Sequence, residues 1–148
     1  SLTTIPSHFS IPNSVYSITG MFMSSGIKNL PSNFTIPEGV EYLDTLFYEC
    51  TGLTQLPANF KLPNTTKSMD QMFYGCTNLN NVTFLATELG DDNNWGFWMR
   101  GVSSTGTFIK AKEMETSILQ EAGVIPNGWT IKDQEKEDSS VFWNKLYS

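Results

Sequence analysis

The chain has 148 residues, a formal net charge of −6 and only 16% charged residues. Its basic residues are few and scattered, so the cationic footprint that nucleic acid demands is missing, and no run approaches the roughly 20 apolar residues of a membrane span. Thr, Asn and Ser fill the polar positions, and the length suffices for a substantial core.

From the amino terminus, a seven-residue phrase, Pro-x-x-Phe-x-(Ile/Leu)-Pro, occurs at residues 6–12, 31–37 and 57–63 and takes in six of the seven prolines. A register near 26 residues is too regular for biased composition. Apolar positions recur in step with it. They are Leu2/Ile5, Ile27/Leu30, Leu53/Leu56 and Leu79/Val82, then Phe9/Phe34/Phe60, Ile11/Ile36/Leu62, Ile18/Leu43/Met69, Met21/Leu46/Met72 and Phe22/Phe47/Phe73. A unit this short cannot bury its own apolar face, so the rungs predict stacked coils, each filling the gap left by its neighbour. Proline removes a ladder donor, so each phrase should turn a corner. Short strands are predicted at 53–56 and around 68–73, with equivalents in the other coils. The first copy lacks one residue between Ser25 and Ile27, which marks a turn there.

From Leu85 the composition changes: Trp95, Trp98, Trp129 and Trp143 all lie beyond it. A stacked array needs its open apolar end covered. These rings, with a helix over 110–122 carrying Met114, Ile118, Leu119 and Ala122 and stopped by Gly123, are predicted to cover it. The alternative is a carbohydrate platform of Trp95, Phe97 and Trp98. Residues 132–140 read as a charged connector and 141–147 as an apolar tail that docks on the cap or meets another chain. The expected fold is mainly β with some α. It comprises a solenoid of about three 26-residue coils over residues 1–84, a C-terminal aromatic and helical cap over 85–131, and the connector and tail over 132–148.

The string Met72-Phe73-Tyr74-Gly75-Cys76-Thr77-Asn78-Leu79, with its relative Leu46-Phe47-Tyr48-Glu49-Cys50-Thr51-Gly52-Leu53, resembles the leucine-rich repeats of BspA-like surface proteins of Bacteroidetes. Residues 98–110 (WMRGVSSTGTFIK) and 125–131 (IPNGWTI) are similar to the closing segment that often follows such arrays, so the resemblance covers roughly residues 2–131. Ser25 departs from the Cys of the other copies, and Thr66 from Val15 and Val40. The resemblance implies a leucine-rich-repeat solenoid, secreted or displayed on the cell surface, that adheres to host proteins, other bacteria or glycans. It brings no catalytic residue and no cofactor. The expected function is a non-enzymatic recognition and adhesion module binding host protein or glycan through the repeat face. The alternative is a structural spacer, or the terminal cap of a longer array, without its own ligand. Because Ser1 stands inside a repeat, an export signal is expected to lie upstream, and the open first coil is expected to offer an edge for self-association.

Candidate contact residues follow from alternation. Between the paired leucines, the rows Thr3/Lys28/Thr54/Asn80 and Thr4/Asn29/Gln55/Asn81 turn side chains out of the core. Lys28, Asn29, Thr54, Gln55, Asn80 and Asn81 are therefore the binding candidates; their amides and hydroxyls suit sugar or peptide, although stacked Asn and Thr also satisfy one another. Two tyrosine rungs, Tyr16/Tyr42 and Tyr48/Tyr74, are expected beside them, with Tyr42, Tyr48 and Tyr74 as aromatic contacts. Cys50 and Cys76 share one repeat position, as stacked thiols packing like small apolar groups or as a bridge between coils. His8 matches Asn33 and Asn59, a solvated loop position. No Ser or Cys nucleophile comes with an ordered base. Two thiols and one distant His fall short of a metal centre, and Asp91-Asp92-Asn93-Asn94 lacks the later Gly and Glu of a calcium loop.

Overall fold

A computed structural model describes residues 2–86, 97–117 and 124–135. These residues are mainly β with almost no helix. Three short strands, β1 (Asn81–Phe84), β2 (Gly106–Lys110) and β3 (Trp129–Asp133), form one parallel sheet in that order. Each is rich in the β-branched and aromatic residues that fit a pleated, half-buried surface: Val82, Thr83 and Phe84; Thr107, Phe108 and Ile109; Trp129, Thr130 and Ile131. Asn81 faces Thr107, and Gly106 faces Trp129, so β3 arrives after a shorter loop than one full repeat.

The same parallel register runs back toward the amino terminus, but as single bridges. Ser17 pairs with Tyr42, Tyr42 with Ser68, and Gln55 with Asn81. The strands expected at 53–56 and 68–73 are thereby reduced to Gln55 and Ser68. At the first of these, Pro57 follows directly on Leu56 and supplies no N–H to continue the ladder. At the second, the chain folds into consecutive turns: Met72 N–H donates to Met69 O, Tyr74 to Gln71 O and Cys76 to Phe73 O. Those turns require left-handed backbone, which recurs in two columns: Gly20, Thr45, Gln71 and Phe97 (φ 68, 54, 55 and 52), and Ser24, Glu49, Gly75 and Gly101 (φ 56, 55, 74 and 83). Only glycine adopts this region without steric cost.

The turn segments still join copy to copy, with every such bond running one way. Phe22 N–H donates to Leu46 O at 3.1 Å, Phe47 to Met72 O at 2.9 Å, and Phe73 to Trp98 O at 2.8 Å. One column further along, Ser24 donates to Tyr48 O, Glu49 to Tyr74 O and Gly75 to Arg100 O. Thus composition changes at Leu85 while the hydrogen-bond register continues through Arg100.

Apolar side chains fill the interior of the stack. Phe22, Phe47 and Phe73 stack at 5.8 and 5.7 Å between centroids, within about 10° of parallel. Phe9 stacks on Phe34 at 6.4 Å, and Phe34 and Phe60 are 3% and 1% exposed. Each such ring contributes roughly 1.5–3 kcal/mol of burial. Asparagine amides tie the copies along the outside: Asn59 Nδ2 donates to Ser32 O at 3.0 Å, Asn78 Nδ2 to Thr51 O at 2.7 Å, and Asn33 Nδ2 to Ser7 O. The position shared with His8 is therefore a clamp in two of its three copies, although His8 itself is exposed. The helix expected over 110–122 begins later. Lys110 completes β2, Met114 N–H closes a turn on Ala111 O, and only Thr116 and Ser117 are helical, with 118–123 outside the described residues. Lys110 is 4% exposed; its ammonium donates to Met114 O at 2.7 Å and pairs with Asp133 of β3.

Candidate functional site

The two polar rows lie side by side where alternation puts them. Ile27, Leu53 and Leu79 on one flank are fully buried, as are Leu30, Leu56 and Val82 on the other, at 7% exposure or less. Between them Lys28, Asn29, Thr54, Gln55 and Asn80 are exposed and Asn81 is half-buried. Backbone pairing fixes their register: Asn80 N–H donates to Thr54 O at 3.0 Å, Leu56 N–H to Asn81 O at 3.1 Å, and Gln55 bridges Asn81. The main chain thus holds Thr54 and Gln55 against Asn80 and Asn81, and the side chains of Lys28, Asn29, Thr54, Gln55 and Asn80 face outward.

The same rows run further than the repeat phrase suggested. Thr107 continues the Gln55/Asn81 row through the β1–β2 register, and Thr130, exposed on β3, continues it again. Gly106 follows Asn80 in the neighbouring row; its N-terminal position on β2 brings it so close to Asn80 O and the Trp129 ring that no larger residue fits. The signal was present in the sequence, since Gly106-Thr107-Phe108 stands one repeat length after Asn80-Asn81-Val82, but it lacks the prolines that marked the earlier copies.

The tyrosines divide. Tyr48 and Tyr74, both half-buried, stack at 5.1 Å and 6°. In their column Met23 precedes them and Arg100 follows, its guanidinium lying 5.0 Å over the Phe97 ring. Stacked rings cover each other's faces, so this column offers phenol edges and hydroxyls and no broad platform for a sugar ring. Tyr16 and Tyr42 are not a rung. Tyr42 pairs with Ser17 and Ser68, and Tyr16, 67% exposed, falls one residue out of step, in the row of Glu41 and Lys67. The latter two form an exposed ion pair at 3.2 Å, worth at most about 1 kcal/mol.

A tryptophan platform is not formed. Trp98 is 1% exposed, boxed in by Phe73, Phe84 and Phe108, and its Nε1–H donates to Val124 O at 2.6 Å. Phe97 is exposed, and Trp95 and the acidic run at 91–94 lie outside the described residues. A shallow groove of about 200 Å³ lies between the second and third proline phrases, floored by Phe34, Ile36 and Leu62 and edged by Glu38 and Lys61.

Cys50 and Cys76 are free and buried. Each thiol donates to a carbonyl one copy back, Cys50 to Phe22 O at 3.0 Å and Cys76 to Phe47 O at 2.9 Å. Ser25, at the same position in the first copy, approaches Cys50 Sγ at 3.5 Å, so the departure from Cys keeps a hydrogen-bonding group in the column. Burial, with Cys50 adding to it, pushes the Cys76 thiol from 9.0 up to about 12. The folded state therefore holds a proton that the unfolded chain releases above pH 9. The resulting stabilisation is intact below pH 9 and is expected to fall by about 1.4 kcal/mol per pH unit from there toward 12. Urea titrations between pH 8 and 11 check this: Cys76→Ala should flatten the alkaline slope, and an unchanged slope would refute the assignment.

Among the described residues, no three His, Cys, Asp or Glu side chains are placed to hold a metal ion, and no helix is long and apolar enough to cross a membrane. No protein-family model matches the chain, nor does any curated protein or solved structure.

Proposed function

We propose that this chain is a non-enzymatic recognition module of the BspA-like leucine-rich-repeat kind, a solenoid secreted or displayed at a bacterial surface. In this proposal it binds a protein or glycan through the rows Lys28/Thr54/Asn80 and Asn29/Gln55/Asn81, extended by Thr107 and Thr130. The observation that carries the proposal is the division of labour on one stretch of chain. Fully buried flanking residues fix the rows, and main-chain bonds join Thr54 and Gln55 to Asn80 and Asn81, while the polar side chains of Lys28, Asn29, Thr54, Gln55 and Asn80 stay exposed. Such preorganisation lowers the entropy lost when a ligand is bound.

The triple variant Lys28→Ala, Gln55→Ala, Asn80→Ala is the test. It should leave the thermal midpoint within about 2 °C, because exposed substitutions change stability little. Binding to matrix proteins or to a glycan array should fall at least about tenfold, one hydrogen-bond's worth or more. Retained binding would move the contact off these rows, and no binding by the unaltered chain to either set of ligands would instead favour the structural spacer. The amides of Asn33, Asn59 and Asn78 give that second interpretation its footing, since they are consumed in holding copies together.

A further inference from the structure

We infer that the ligand of the two polar rows is a linear, uncharged polysaccharide lying along the stack, one sugar ring to each coil. This deepens the adhesive function proposed above and rests on it. The longer row runs Thr4, Asn29, Gln55, Asn81, Thr107 and Thr130, one residue per coil. Its last four members are fixed in register, Gln55 pairing with Asn81, Asn81 with Thr107 and Thr107 with Thr130. Gly52 seats the chain that carries Lys28 and Asn29, since a Cβ there would stand 3.2 Å from Ile27 O and 3.5 Å from the Lys28 side chain. Beside the longer row run Thr3, Lys28, Thr54 and Asn80. The coils therefore present similar groups again and again at the spacing of adjacent strands, about 4.8 Å.

Three properties of the rows select the ligand. They offer hydrogen bonds and no apolar seat, because the flanking Ile27, Leu53 and Leu79 are fully buried and Leu30, Leu56 and Val82 nearly so. An amphipathic helix finds no groove there for its apolar face, and a proline-rich segment finds no aromatic trough. A folded protein partner finds neither an apolar centre nor the Trp, Tyr and Arg anchors that carry such interfaces. The second property is charge. Lys28 is the only charged residue in either row, too little for a polyanion, whose binding is built on many cationic contacts. The third is spacing. An extended peptide presents like-facing side chains about 6.7 Å apart and slips out of register by roughly 2 Å at every coil. A chain of hexopyranose rings joined by equatorial 1,4 linkages advances by nearly one coil step per ring. Its hydroxyls both donate and accept, as do the amides and hydroxyls of the rows. Both edges of every ring carry oxygen, so alternate rings that are turned over still meet both rows. Affinity then comes from summing weak contacts level by level along the array.

The test titrates the full chain with β-1,4-linked mannose chains of increasing length, from a single ring to the hexamer. Calorimetry and the side-chain amide resonances of Gln55, Asn80 and Asn81 are the readouts. Chains of α-1,4-linked glucose, which the axial linkage coils, are the control. Affinity should rise about fivefold with each ring, one net hydrogen bond's worth, as far as the hexamer, and the α-linked hexamer should bind at least about tenfold more weakly than the β-linked one. In the double variant Thr107→Ala, Thr130→Ala, which removes the hydroxyls of the last two levels, the gain should stop at the fourth ring. A flat dependence on length, equal binding of the two linkages, or a gain in the double variant that continues to the sixth ring would each overturn the inference. If it falls while matrix proteins bind and the Lys28/Gln55/Asn80 triple variant loses them, the rows are still adhesive and their ligand is a protein. If neither oligosaccharides nor matrix proteins bind the unaltered chain, the inference and the adhesive function fall together.

Discussion

Replacing Trp98 by Ala is expected to cost about 3–5 kcal/mol, read from the shift of the urea midpoint. The indole is 1% exposed and packs against rings from three directions, 5.8 Å from Phe73, 5.3 Å from Phe84 and 6.0 Å from Phe108. Truncation would leave a cavity that these rings cannot all close, because each is also held in its own row, and it would remove the donor bonded to Val124 O. Trp98→Phe keeps most of the volume and loses the hydrogen bond, so about 1–2 kcal/mol is expected from it. A loss below about 1 kcal/mol in Trp98→Ala would show that the apolar column does not pass through this residue.

The second large effect is expected from the smallest substitution. In Gly106→Ala the new methyl would stand 2.5 Å from Asn80 O and 2.7 Å from Trp129 Cε2. Neither neighbour is free to retreat: Asn80 O accepts the Thr107 N–H at 2.9 Å, and Trp129 Nε1 donates to Ser103 O at 2.8 Å. Overpacking of this kind costs typically about 1–3 kcal/mol, and here it parts β1 from β3 across β2. Because Asn80 and Asn81 move with it, the binding proposed for their rows should weaken together with stability, unlike in the triple surface variant. Gly52→Ala is the contrast, its nearest atom being Ile27 O at 3.2 Å, and it should cost well under half as much. Equal costs at the two sites would mean that the close approach at Gly106 is relieved without strain.

The ladders of like on like were legible in the sequence because burial is periodic when copies stack: Phe22, Phe47 and Phe73 announce one another. The polar rows followed from alternation around those rungs, and all six of the candidate residues sit on them. The strands were over-extended because apolar spacing does not distinguish an extended segment from a chain of turns. The residues that could have told them apart are mostly not glycine. Thr45, Glu49, Gln71 and Phe97 occupy left-handed positions that only Gly20, Gly75 and Gly101 mark openly. The pairing of Tyr16 with Tyr42 failed by one residue, since identity of residue type was followed where the buried neighbours Ile18 and Leu43 already fixed the register. Past Leu85 the seven-residue proline phrase stops, leaving Pro126 on its own, and with the phrase goes the cue that would have carried the rows on to Thr107 and Thr130.

The near-constant step between copies also governs how the chain can find this arrangement. A bond such as Phe47 N–H to Met72 O and the next one, Phe73 N–H to Trp98 O, bring together residues separated by nearly the same length of chain. The entropy of closing such a loop is about 3 kcal/mol each time, so adding a layer does not become harder as the molecule grows. The barrier to folding is then expected in the first closure, with each later copy joining at a similar entropic cost.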